Sequence, residues 1–119
     1  MRALLRPLLA TPEFKSLYGG LERGYDQQIV FGLSGSSLSY TAGGLASACR
    51  CPVLVVTPGD AESIAMAEEL SFLLPEMKVY PFPVYHLLPG HVLARDQEIP
   101  AQRLRALDAL REGKEKVVV

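Results

Sequence analysis

Residues 28–39 read Gln-Ile-Val-Phe-Gly-Leu-Ser-Gly-Ser-Ser-Leu-Ser. The first half, residues 28–33, is a short apolar run, which predicts a strand. The second half opens a helix over residues 36–50, because Leu38, Ala42, Leu45, Ala46 and Cys49 recur at helical spacing. A strand that turns through glycine and serine into a helix is the setting of a phosphate-binding loop, G-x-x-x-x-G-K-[ST]. Aligned on that pattern, Gly32 holds the first glycine and Ser39 the final hydroxyl. Ser37 stands where the second glycine belongs, and Leu38 where the lysine belongs.

Both losses bear on chemistry. Such a loop works because backbone N–H groups at a helix N-terminus surround phosphate oxygens. Its lysine meets the β- and γ-phosphates. Leucine offers neither charge nor donor, and a side chain at position 37 adds bulk where the loop must wrap closely. Three readings stay open at Gly32, Gly35, Ser36, Ser37, Leu38 and Ser39: a vestigial phosphate loop that no longer binds nucleotide, an ordinary turn between strand and helix, or residual anion binding over residues 36–39. The first is the expectation carried forward. A hydrolytic site would also need an acid ending an apolar strand to hold magnesium. Residues 52–56 (PVLVV) run instead into Thr57-Pro58-Gly59, and Asp60 reads as a helix cap. No catalytic residue and no metal ligand is therefore assigned.

Outward from the loop, the chain alternates strands and helices. Residues 1–10 predict a short helix. Thr11-Pro12-Glu13 predicts the start of a second: a capping hydroxyl, proline in the first turn and an acid behind it. Residues 52–57 are a continuous apolar run, the pattern of a strand buried on both faces. A helix over residues 60–74 and a strand over 78–82 follow. Beyond a Pro/Gly-containing loop to residue 95 comes a helix over 98–112, expected to turn Ala101, Leu104, Leu107 and Leu110 inward. Residues 117–119 begin a further strand. This alternation predicts an α/β fold with a parallel sheet and flanking helices. It divides into N-terminal helices over 1–24 and a sheet-bearing body over 25–119. The chain stops within an apolar strand, so it is expected to be a piece of a longer protein with an incomplete sheet.

Composition narrows the function. The chain has 119 residues, 49% hydrophobic and 21% charged, with a net charge of −1. That is a globular balance with no concentration of cations, so strong nucleic-acid binding is not expected. No apolar run approaches the ~20 residues that span a bilayer. The N-terminal stretch lacks the form of a secretory signal, and its two cysteines, Cys49 and Cys51, read as reduced thiols, so a cytoplasmic setting is expected. His86 and His91 flank Pro89-Gly90 and lack the spacing of helical zinc ligands. Glu68 and Glu69 read as a solvated face, as do Arg103, Arg105 and Arg111. The serines at 34, 36, 37 and 39 lack the G-x-S-x-G spacing of a hydrolase nucleophile.

Taken in order, FGLSGSSLS, PVLVVTP, AESIAMAEELSFLL, VYPFP, LLPG, IPAQRLRALDAL and the closing VVV resemble the N-terminal segment of the bacterial transcription-repair coupling factors (Mfd). PEFKSLYGGLERG is similar to the opening helix of that family. The resemblance covers essentially the whole chain. It implies a three-layer RecA-like fold, akin to phosphate-loop NTPases, forming the first part of a module related to the repair helicase subunit UvrB. UvrB keeps a working G-x-T-G-S-G-K-T loop. This sequence retains Gly32, Gly35, Ser36 and Ser39 but has Ser37 and Leu38 for glycine and lysine, the departure expected of a coupling factor. Residues 85–95 are also too short for the Tyr-rich hairpin with which UvrB clamps DNA.

The resemblance implies a parent that displaces stalled RNA polymerase and recruits nucleotide-excision repair. The implied partners are UvrA, RNA polymerase and DNA, and an ATP- and magnesium-dependent motor would lie outside this chain. The chain itself is expected to be a non-catalytic scaffold without a cofactor, packed against other domains of the parent. The alternatives are half of a UvrB-like ATPase or helicase that needs further domains, and a small nucleic-acid-binding module.

Overall fold

The structure is a computed structural model that describes residues 2–49, 51–84, 98–113 and 117–119. Its elements run α1 (Arg2–Ala10), α2 (Pro12–Glu22), α3 (Ser36–Ala48), β1 (Val53–Leu54), α4 (Asp60–Leu73), β2 (Val79–Tyr80), α5 (Glu98–Arg111) and β3 (Val117–Val118). The expected histidine-bearing loop over residues 85–95 lies outside the described residues.

The strands form one parallel sheet in the order β1-β3-β2. The last strand in sequence is therefore the middle one in space. Val117 stands level with Val53 on one side and Val79 on the other, and Val118 with Leu54 and Tyr80. The ladder extends past the paired residues: Val55 N–H donates to Val118 O at 2.7 Å, Val119 N–H to Tyr80 O at 3.0 Å and Phe82 N–H to Val119 O at 2.6 Å. Parallel neighbours cannot be joined by a tight turn, so α4 carries the chain from β1 to β2 and α5 carries it from β2 to β3.

Alternation along β3 divides its side chains between two faces. Val117 and Val119 join Leu5 of α1, Ala46 of α3, and Leu70 and Leu74 in the main core, with Val53, Val55 and Val79 half-buried around them. Because Leu5 belongs to that core, the N-terminal helices are packed on the body. Val118 turns to the opposite face, where Leu107 and Leu110 of α5 border a cavity of about 390 Å³ beside it. The result is three layers: α1, α3 and α4, then the sheet, then α5.

The N-terminus of α2 follows its residues closely. Thr11 caps it, its hydroxyl accepting from Phe14 N–H at 3.3 Å, with Pro12 as the first helical residue. The expected cap at Asp60 is different: Gly59 is the N-cap of α4, and Asp60 lies in the first turn, where Oδ1 accepts from Val84 N–H at 3.4 Å.

Three expectations are corrected. Residues 28–33 are not a strand of the sheet. The sheet consists of β1, β3 and β2, and Ile29 and Phe31 are 78% and 85% exposed. An apolar run favours extended backbone but does not by itself secure a sheet partner. Residues 52–57 are not buried on both faces. Val53 and Val55 are half-buried, whereas Leu54 and Val56 are exposed because α5 covers only part of that side. In α5 the buried residues are Ala106 and Ala109, while Leu104 and Leu107 are exposed. Small side chains permit a closer helix approach, and that outweighed the bulk of the leucines.

Close approach also explains Gly43-Gly44 in α3. A Cβ on Gly44 would lie 2.7 Å from Leu8 Cδ2 and 2.9 Å from Phe14 Cε2, whereas one on Gly43 would meet Leu70 and Leu73 at an ordinary 3.5 Å. Gly44→Ala should therefore lower unfolding stability by about 1–3 kcal/mol through overpacking. Gly43→Ala should be neutral or raise stability by up to about 1 kcal/mol through helix propensity. Urea denaturation of the two variants tests this; equal effects would show that α1 and α2 do not press on Gly44 as described.

Candidate functional site: a phosphate-loop-like turn

The turn before α3 is made by Gly32 at φ +82° and Gly35 at φ +54°. Both lie in the left-handed region that glycine tolerates, and a Cβ at either would meet nothing within 4 Å. These glycines therefore serve backbone conformation rather than space. All six sequence-predicted positions, Gly32, Gly35, Ser36, Ser37, Leu38 and Ser39, fall on this turn and the first turn of α3.

Three N–H donors of this turn already have partners. Ser37 N–H donates to Ser34 O at 3.2 Å and Leu38 N–H to Gly35 O at 3.1 Å. Ser34 N–H donates to Ser37 Oγ at 2.7 Å, and that hydroxyl lies 2.7 Å from Ser34 O. A phosphate cradle needs such N–H groups turned outward and free. Here three of them are closed on the loop itself. The side chain at position 37, absent from a glycine, makes part of that closure.

Glu69, reaching across from α4, completes the arrangement. Its Oε1 accepts from Ser36 Oγ at 3.3 Å, and its Oε2 accepts from Ser39 Oγ. Ser39 is only 1% exposed and also lies 2.9 Å from Ser36 O, so its hydroxyl is held within the protein. A carboxylate at a helix N-terminus is favoured by the helix dipole, and the same charge repels an incoming anion. Glu69 was expected on a solvated face. It lies instead three residues after Met66 and four before Leu73, both packed on the core. That spacing was the available signal: an acid bordering a buried helix face needs donors, and the serines supply them.

Leu38 is 46% exposed and lines a cavity of about 360 Å³ together with Leu17 and Leu21 of α2. The position that carries a cation in a working loop thus meets apolar side chains. Other candidates resolve separately. Arg103 was expected on a solvated face, but its guanidinium stacks 4.1 Å from the Phe82 ring centroid and donates to Pro83 O at 2.8 Å. Arg111 pairs with Asp108 at 3.5 Å on an exposed surface, an interaction of little energetic weight. Cys49 and Cys51 are free thiols. Burial, and then the neighbouring Cys51, push the Cys49 thiol above its ordinary pKa. Among the described residues no group of three or more His, Cys, Asp or Glu side chains could hold a metal ion, and no helix is long and apolar enough to cross a membrane.

The chain is similar to the transcription-repair-coupling factor of Bacillus subtilis (strain 168), with 31% identity over 107 residues that cover 90% of this chain. It is related to that protein and spans about 9% of its length. No family model matches the chain. No solved structure matches it either.

Two measurements check the site. Ser39→Ala and Glu69→Ala should each cost about 1–2 kcal/mol of stability, and the double variant less than the sum, because both remove one shared hydrogen bond. Strict additivity in a double-mutant cycle would show that the two side chains do not interact. The raised Cys49 pKa leaves less thiolate near neutral pH. Iodoacetamide should therefore label Cys51 before Cys49, the gap narrowing as pH rises; peptide mapping after timed quenching reads the order.

Proposed function

We propose that the chain belongs to the transcription-repair coupling factors and forms the first part of their N-terminal UvrB-like module. In this reading it is a degenerate RecA-like domain that acts as a scaffold and has no catalytic role of its own. The observation that carries it is the closure of residues 32–39. Leu38 replaces the cation, three N–H groups are bonded within the loop, and Glu69 occupies the hydroxyls of Ser36 and Ser39. A nucleotide would have to break those bonds and bring its charge against a carboxylate with no lysine in return. The similarity to a transcription-repair-coupling factor over 90% of the chain supports the family reading. The parallel sheet between helical layers is compatible with the RecA-like one.

The parent's work, displacing stalled RNA polymerase and recruiting nucleotide-excision repair, would depend on an ATP- and magnesium-driven motor elsewhere in the polypeptide. UvrA, RNA polymerase and DNA would be partners of that parent, in the cytoplasm. Residues 1–24 and 25–119 would together form one structural unit within it. Freed from binding nucleotide, the domain would present neighbouring modules on a fixed frame.

Calorimetric titration of the chain with Mg-ATP tests the reading. No binding is expected at millimolar nucleotide. Micromolar affinity, lost on Ser39→Ala, would overturn it and favour a working half-site.

A further inference from the structure

Helix α4 is apolar on more than one side. Met66, Ala67, Leu70 and Leu73 meet the core. A second row, Ile64, Glu68 and Phe72, runs at i, i+4 and i+8, which places the three residues one above another on the helix. Ile64 is 60% exposed, Phe72 is 65% exposed, and Glu68 between them is exposed as well. A surface helix ordinarily turns polar residues to water, and one that is apolar around its circumference is usually covered. Beside this row, between α3 and α4, lies a groove of about 640 Å³. Phe72, Leu73 and Tyr40 form its apolar wall, and Glu68 and Glu69 its charged border.

The charge of this surface is one-sided. α3 contains no charged residue, and α4 contains Asp60, Glu62, Glu68 and Glu69 with no lysine or arginine. None of residues 51–77 is basic, although the chain carries 12 Lys and Arg against 13 Asp and Glu. A second copy of the chain docking through the same face would set these acids against each other, which opposes association. A nucleic acid would meet the same repulsion. A basic amphipathic helix fits both properties at once. Its apolar residues would cover Ile64 and Phe72, and a lysine or arginine between them would meet Glu68.

We propose that the Ile64–Glu68–Phe72 row and the adjoining α3–α4 groove are a docking surface for a basic amphipathic helix of a protein partner. The groove shares Ser36, Ser39 and Glu69 with the turn before α3, but docking there makes no use of nucleotide and does not require the scaffold reading.

An NMR titration of the ¹⁵N-labelled chain tests it, with a synthetic amphipathic helix of leucine and lysine as the probe and its lysine-to-glutamate counterpart as the control. The lysine peptide should give saturable shift changes confined to residues 36–40 and 61–73, and the glutamate peptide none. Glu68→Lys and Phe72→Ser should each weaken binding by about tenfold or more. Both side chains are exposed, so the free variants should keep native-like spectra. Shifts spread over the whole surface, equal response to the two peptides, or unchanged affinity in both variants would overturn the proposal. Sedimentation showing self-association that Phe72→Ser abolishes, without a localised peptide response, would assign the face to a second copy and overturn it equally.

Discussion

The fold depends on one placement: β3, the last strand in sequence, pairs on both of its edges. β1 and β2 do not touch each other; each is hydrogen-bonded to β3 alone. Without Val117 and Val118 there would be no sheet, only two short extended segments joined by a helix. The same strand connects the layers. Val117 and Val119 anchor the side formed by α1, α3 and α4, and Val118 anchors the side of α5. All three valines are 5% exposed or less. In a β-branched side chain few rotamers are lost on such burial, so three consecutive valines provide a stiff spine that both helical layers can share.

The turn before α3 closes its hydrogen bonds on itself and on α4. A helix N-terminus leaves several N–H groups in need of acceptors. In a phosphate loop the ligand meets part of that need. Here Ser34 O, Gly35 O and Ser37 Oγ accept three N–H groups of the turn, while the Glu69 carboxylate accepts from the hydroxyls of Ser36 and Ser39. The backbone turns at Gly32 and Gly35 remain in the left-handed region. The N–H bonds of the turn point inward, and the nearby side-chain charge is negative. The bonds from Ser36 and Ser39 to Glu69 tie α3 to α4.

Much of this was legible in residue types. Helical periodicity, Thr11-Pro12 and the Pro and Gly boundaries located five helices within a few residues of their ends, because these signals are local. The α/β alternation gave the parallel sheet for the same reason. Strand partners were not legible. Residues 28–33 are apolar enough for a strand, yet nothing local in the sequence says whether a sheet edge will take them. The inward face of α5 is not marked by hydrophobic size, because Ala106 and Ala109 are what let the helix approach. At the site, the apolar residue at position 38 could be read directly. The closing carboxylate could not, since Glu69 lies 30 residues from Ser39 and only the packing of α4 on α3 brings them together.

The strand order also sets a timetable for synthesis. Leu54 pairs with Val118, so β1 must wait for 64 further residues to be translated before its partner exists. At about 5–20 residues per second that interval is roughly 3–13 s. During it α1 to α4 can already gather around Leu5 and Leu70, since their contacts are nearer in sequence. The edge of β1, with Leu54 and Val56 bare, stays open throughout.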